Sequence, residues 1–319
     1  MIPNAHSQQT NGSGFAASST KAGVSITRGQ RGSMTSKETL RWRAIESLRP
    51  EDERVCYDNI ANDFMDRPWH SITRNRFMRR LLIRQSNKDY IGMGGFIVAR
   101  TRYIDEFLKA QIEEGIKQLV ILGAGYDSRA YRFSLFESGI KVFEVDHPNT
   151  QLLKIMKVIK ILGSMPKHVV FVHVDFAREK LEINLPKNGY DSRLKTLFIW
   201  EGVTMYLTAE SVDQTLAFIA SYSGEGSCVI FDYLFESALD GTSQLKEAEM
   251  MTSHCARLGE PLRFALKDDT IEEFLSSRGF RLLENTAATS LKDAYFKGRG
   301  QQRKVFQLGA VLSAMVEHH

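Results

Sequence analysis

Apolar positions along the chain follow two periods in alternation: short β-rich runs, and longer stretches at helical spacing. Residues 119–122, 140–145, 168–174, 195–199 and 227–231 are runs short and apolar enough to be strands buried on both faces. Residues 128–135, 152–162 and 209–222 carry the helical period between them. Residues 269–278 form a further helix with an acidic first turn, stopped by Gly279. Residues 280–284 and 304–311 supply two last strands. Strand and helix in this alternation predict an α/β fold. It is a Rossmann-like, seven-stranded, doubly wound sheet whose last two strands pair antiparallel.

Ahead of the first strand, residues 35–107 are helical in pattern. One segment spans 39–48 and stops at Pro50, and a second spans 58–66 before Pro68. Residues 71–87 are basic, with Arg74, Arg76, Arg79, Arg80 and Arg84 read as a solvated helix face. Gly92, Gly94 and Gly95 are expected to form a flexible joint before a helix over 97–110. Residues 34–110 are therefore assigned to a helical cap. Residues 111–315 are assigned to the sheet domain, with a helical insertion around 243–266. Residues 1–33, rich in Ser, Gly, Gln, Asn and Thr, read as a disordered leader or expression tag. Residues 316–319 read as a tag remnant.

The candidate chemistry lies where the first strand ends. Gly123 and Gly125 form a turn that lets backbone approach a ligand closely, and the second strand ends on Asp146. A carboxylate there can accept hydrogen bonds from both hydroxyls of a ribose. The position of a third glycine is held by Ser128, and no Gly-Lys-Ser/Thr follows. Such a turn suits an adenosine ligand without a pyrophosphate, S-adenosylmethionine, better than a dinucleotide. Asp175, Glu201 and Asp232 also fall at carboxyl ends of predicted strands, the edge where open α/β sheets bind ligands.

Four segments carry a family resemblance: residues 122–129 (LGAGYDSR), 143–148 (FEVDHP), 174–176 (VDF) and 200–207 (WEGVTMYL). With these motifs in order across residues 39–311, the chain resembles the leucine carboxyl methyltransferases. That family includes S-adenosylmethionine-dependent O-methyltransferases and many bacterial members of unassigned substrate. The resemblance implies that Gly123 touches the amino-acid portion of the cofactor and that Asp146 holds the ribose hydroxyls. Asp175 and Phe176 would flank the adenine, Phe176 standing where the family has leucine. Glu201 would face the methionine end, and Arg100 would pair with the cofactor carboxylate. The family's basic residue near the N-terminus is matched equally by Arg41 and Arg43.

Composition narrows the setting. Apolar residues make up 43% of the 319, which can bury one large core, and the net charge of +4 is too small to point to nucleic acid. No apolar run is long enough to span a membrane. Cys56, Cys228 and Cys255 lack metal-ligand spacing, so no metal is expected and a reducing, cytoplasmic setting fits best. Methyl transfer from a sulfonium needs mainly alignment, and no general base is evident. The expected acceptor is a carboxylate or other acidic oxygen of a small molecule or a protein C-terminus. Tyr206, Tyr233 and Arg102 are candidates for orienting it, while His147 and Glu144 read as structural. A non-catalytic adenosine-binding protein and an NAD-dependent oxidoreductase are the alternatives; the latter lacks the third glycine and a Tyr-x-x-x-Lys pair. Asp146→Ala would remove two charge-assisted hydrogen bonds, each contributing roughly 1.5–3 kcal/mol. By calorimetry, S-adenosylmethionine affinity should fall by about two orders of magnitude or more. Stability without ligand should barely change if the strand tip is solvated.

Overall fold

The structure, a computed structural model, describes residues 33–89, 91–133, 139–176 and 179–317. Five helices precede the sheet: α1 (Met34–Ser47), α2 (Ala61–Phe64), α3 (Trp69–Arg74), α4 (Arg76–Asp89) and α5 (Met93–Glu113). The alternating part runs β1 (Gln118–Leu122), α6 (Arg129–Arg132), β2 (Lys141–Asp146), α7 (Pro148–Leu162) and β3 (Val169–His173). It continues with α8 (Leu181–Lys187), β4 (Thr196–Trp200), α9 (Ala209–Ser221) and β5 (Cys228–Leu234). The chain closes with α10 (Lys246–Leu258), α11 (Ile271–Ser276), β6 (Phe280–Ala287), α12 (Ala288–Tyr295) and β7 (Gly309–Val316). The sheet order is β3-β2-β1-β4-β5-β7-β6, with β7 antiparallel to both neighbours. The expected fold class is the one observed.

Strand alternation explains the two cores. Leu119 and Ile121 of β1, with Leu197 and Ile199 of β4, join α5 and α12 on one face. Val120, Leu122, Phe198 and Trp200 point to the other face, against α8, α9 and α11. A smaller cluster of Leu40, Ala44, Phe64, Tyr126 and Val158 ties the cap to α7 and to the turn after β1.

Several local expectations are corrected. The last strand is Gly309–Val316, not 304–311. Residues 304–306 instead form a strap against the start of α5: Phe306 N donates to Gly92 O at 3.0 Å. A Cβ on Gly92 or Gly95 would collide with that backbone, and one on Gly94 would meet the Trp42 ring. These three glycines are close-packing positions, not a flexible joint. Val316, placed in the expected tag remnant, pairs with Phe280 inside the sheet, and His318 and His319 lie outside the described residues. The helix expected over 128–135 is one turn, Arg129–Arg132, with 134–138 outside the described residues. The basic segment splits into α3 and α4 because Asn75 leaves the helical region and its side chain accepts from Phe77 N and Met78 N. The leader over 1–33 lies outside the described residues except Ser33, whose hydroxyl caps α1 by accepting from Ser36 N.

Glu144 is fully buried beside Lys154 of α7, with Nζ 2.8 Å from Oε2. It is a structural carboxylate, as expected. Burial raises its carboxyl from 4.5 to about 7, Lys154 opposing the shift. Because the folded chain holds this proton more tightly than the unfolded chain, its contribution to stability falls as pH rises through that window. Lys154→Met strands the carboxylate and should cost about 3–5 kcal/mol at pH 8 in urea unfolding. The cost should shrink toward pH 5, where Glu144 takes up a proton. A pH-independent loss would contradict the pairing.

Candidate functional site

The carboxyl ends of the parallel strands open into a cavity of about 400 Å³, within the range of small-molecule sites. The cap lines it through α1, and Met251 of α10 lines it as well. Two sets of hydrogen bonds hold most of the expected residues: Asp146 with Gly125, and Arg100 with Glu201, while Gly123, Asp175 and Phe176 line the cavity beside them. Asp175 and Phe176 stand where β3 ends, with residues 177 and 178 outside the described residues.

The glycine turn belongs to the first of these sets. Gly123 and Gly125 have φ of +66° and +41°, in the left-handed region that disfavours side chains. A Cβ on Gly123 would strike the Val203 side chain, and one on Gly125 would lie 2.6 Å from Ser36 Oγ. The turn is anchored by Asp146, which accepts from Gly125 N through one oxygen and from His147 N at 2.6 Å through the other. Burial raises the Asp146 carboxyl, and the two backbone donors oppose that shift. The strand tip is thus not merely solvated. The expectation that Asp146→Ala leaves stability untouched is corrected, because two backbone N–H groups lose their acceptor. His147 caps α7, its Nδ1 accepting from Asn149 N at 3.3 Å, a structural role as expected.

Around Glu201, at the end of β4, the cavity edge is built by two arginines and four carboxylates. Arg129, fully buried, donates from Nε to Asp105 at 2.7 Å and from Nη1 to Glu201 at 2.6 Å, and also holds Asp127. Arg100 donates from Nε to Glu201 at 3.0 Å and from Nη1 to Asp232. Asp232 in turn accepts from Gly202 N at 2.6 Å, where φ is +70° and a Cβ would lie 3.3 Å from Arg100 Nη2. Burial alone would push the Glu201 carboxyl up. Arg129 and Arg100 override it and hold the group ionised well below the usual carboxylate range.

The two candidate basic residues near the N-terminus separate cleanly. Arg41 stacks on the Trp69 ring at 4.0 Å, away from the cavity lining. Arg43 lines the cavity, donating from Nη2 to Tyr126 O at 2.6 Å and standing 3.4 Å from Asp58. Its Nε and the hydroxyl of Ser36 are buried without a hydrogen-bond partner. The donor set fits S-adenosylmethionine: an acceptor pair for ribose at Asp146, an unused guanidinium N–H for a carboxylate, and glycine backbone that admits close approach. Arg100 also lines the cavity, but two of its nitrogens already serve Glu201 and Asp232.

Of the acceptor-orienting candidates, Tyr206 faces the cavity. Tyr233 bonds Asp268 and Asn285, and Arg102 pairs with Glu106, and neither lines the cavity. Sequence reasoning passed over Glu38, Ser36 and Thr39, which line it from α1. Their signal was a polar stripe at helical spacing through Arg43 on a helix that should otherwise have shown an apolar face. Among the described residues no group of His, Cys, Asp and Glu could hold a metal ion.

Comparison with known proteins agrees with this geometry. A candidate S-adenosyl-L-methionine-dependent methyltransferase of Bacillus subtilis, YktD, is 32% identical over 210 residues, covering 66% of this chain and 69% of that one. One of Mycobacterium avium is 31% identical over 191 residues, covering 58% of this chain and 62% of its own length. A crystal structure described as a methyltransferase candidate of Thermobifida fusca superposes with TM-score 0.56 over 91% of this chain and 97% of that one, at 13% identity, so the likeness is one of fold. Arg129→Met would leave three buried carboxylates short of a partner and should cost about 3–5 kcal/mol in denaturant unfolding. A loss below about 1 kcal/mol, the scale of an exposed pair, would contradict the frame described. Residues 38–220 match the leucine carboxyl methyltransferase family, and the chain belongs to that family.

Proposed function

We propose that this protein transfers a methyl group from S-adenosylmethionine to an oxygen of a small molecule held in the cavity under α1 and α10. Family membership makes S-adenosylmethionine the cofactor and methyl transfer the reaction class. The observation that carries the reading is the convergence at one sheet edge of the glycine turn, Asp146, Glu201 and the unpartnered Arg43 Nε. Asp146 would receive the ribose hydroxyls, and Asp175 and Phe176 would border the adenine. Arg43 and Arg100 would face the carboxylate, with Glu201 beside the ammonium. Acidic residues outnumber cations along this lining, which favours a ligand bearing a sulfonium. The sulfonium methyl is already activated, so alignment of an acceptor oxygen in line with the S–CH3 bond supplies much of the acceleration.

Residues of α1 and Met251 of α10 line the cavity, and this lining by the cap supports a small molecule over a protein C-terminus. Calorimetry with S-adenosylmethionine and NAD tests the cofactor reading. Binding of S-adenosylmethionine with at least tenfold preference over NAD is expected. Arg43→Met should weaken it about tenfold or more by removing a charge-assisted contact. Equal affinity for NAD, or no binding of S-adenosylmethionine, would overturn the proposal.

A further inference from the structure

Helix α4 of the cap packs against α3 and leaves Arg79, Leu82 and Ile83 partly buried. The helical turn sorts the rest of its described side chains into two adjacent rows. Arg76, Arg80 and Arg84 follow one another at four-residue spacing, all exposed. Beside them run Phe77 and Leu81, 68% and 44% exposed, with Met78 at 41% on the far side of that row. A row of cations and a row of apolar groups thus lie next to each other on one side of the helix.

Neither row serves the stability of the fold. Like charges at four-residue spacing repel on a helix surface, so the arginine row weakens α4. Among the described residues no carboxylate pairs with Arg76, Arg80 or Arg84. Burial, and then the charges of Arg49, Arg76 and Arg80, lower the neighbouring Arg79 guanidinium from its usual value, as an unneutralised cluster would. A single exposed apolar side chain is ordinary, but three together beside unpaired arginines mark a contact surface. The adjoining α3 continues the pattern with exposed Arg74 and with Trp69, on whose ring Arg41 stacks at 4.0 Å. Cations beside apolar groups match a layered partner, phosphate above hydrocarbon. A nucleic-acid backbone would engage the arginines and leave Phe77, Leu81 and Met78 in water. A bilayer meets the convex side of a helix without needing a matching groove.

We propose that α4 is a membrane-surface anchor that docks the cap onto a bilayer rich in anionic phospholipid. Arg76, Arg80 and Arg84 lie at the depth of the lipid phosphates, and Phe77, Leu81 and Met78 dip to the acyl boundary. The helix lies on the surface and does not cross it: α4 has 14 residues, and no helix among the described residues is long and apolar enough to span a membrane. The arginines supply a salt-sensitive attraction, and the apolar row supplies a salt-insensitive one. None of these six residues lines the cofactor cavity, so docking and methyl transfer are separable.

The test floats the full chain with vesicles of phosphatidylcholine alone and with vesicles of equal parts phosphatidylcholine and phosphatidylglycerol. Binding to the anionic vesicles should be about tenfold stronger or more, and should weaken as salt is raised. Arg80→Gln with Arg84→Gln should lower it about tenfold or more and flatten its salt dependence. Phe77→Ser with Leu81→Ser should lower it by a similar factor and leave a steep salt dependence. Both pairs change exposed positions, so thermal unfolding and S-adenosylmethionine affinity should match the parent. No binding to the anionic vesicles, or equal binding to the neutral ones, overturns the proposal. So does full binding by the Phe77→Ser, Leu81→Ser chain, which would reduce the effect to a diffuse charge field. Polyglutamate bound as tightly as the anionic vesicles would assign the rows to an acidic protein instead. A parent dimer in sedimentation that the Phe77→Ser, Leu81→Ser pair dissociates would assign the apolar row to a second copy. Either result overturns the membrane as partner.

Discussion

The buried pairing of Arg129 and Arg100 with Glu201 is the interaction on which the site depends. Glu201 stands at the end of β4. The two guanidiniums that clasp it come from the one-turn α6 beyond the glycine turn and from α5 of the cap. Arg129 adds Asp105 of α5 and Asp127 of the turn, and Arg100 adds Asp232 near the end of β5. Three strand ends and the cap are thereby fixed to one another through charges that have left water. Removing any one of them strands its partners in a low-dielectric interior, so the frame is held by the penalty of its dissolution more than by the strength of each pair. Rigidity of this kind is what a reaction governed by alignment requires.

The same charges set the electrostatic character of the cavity. Carboxylates exceed cations along its wall, and the cations present are largely neutralised by partners of their own. A sulfonium cofactor enters such a site with favourable charge, and the neutral thioether left after transfer loses that attraction.

Much of this was legible in the sequence because strand ends advertise themselves. An apolar run followed by an acidic residue located Asp146, Asp175, Glu201 and Asp232, and sheet physics gathers such residues on one edge. The antiparallel end of the sheet was legible in kind but not in position. Residues 304–306 look like strand, yet they strap α5, whose glycines are spaced to receive backbone, a reason visible only in three dimensions. The choice between Arg41 and Arg43 also needed the structure: two positions apart on a helix, they face nearly opposite ways. Glu38 escaped notice because its partner is a histidine 216 positions away. Nothing local to α1 encodes that meeting.

The central claim is that the cofactor lies along the edge from β3 to β4 with its sulfur turned toward β5. A crystal structure of the chain with S-adenosylhomocysteine tests this most directly. The account predicts both ribose hydroxyls within hydrogen-bond distance of Asp146 and the ligand carboxylate at Arg43. It also predicts that the thioether sulfur opens onto the space bounded by Met251, Leu234 and Glu38. A ligand whose ribose lies away from Asp146, or whose sulfur points back toward Asp175, would contradict it.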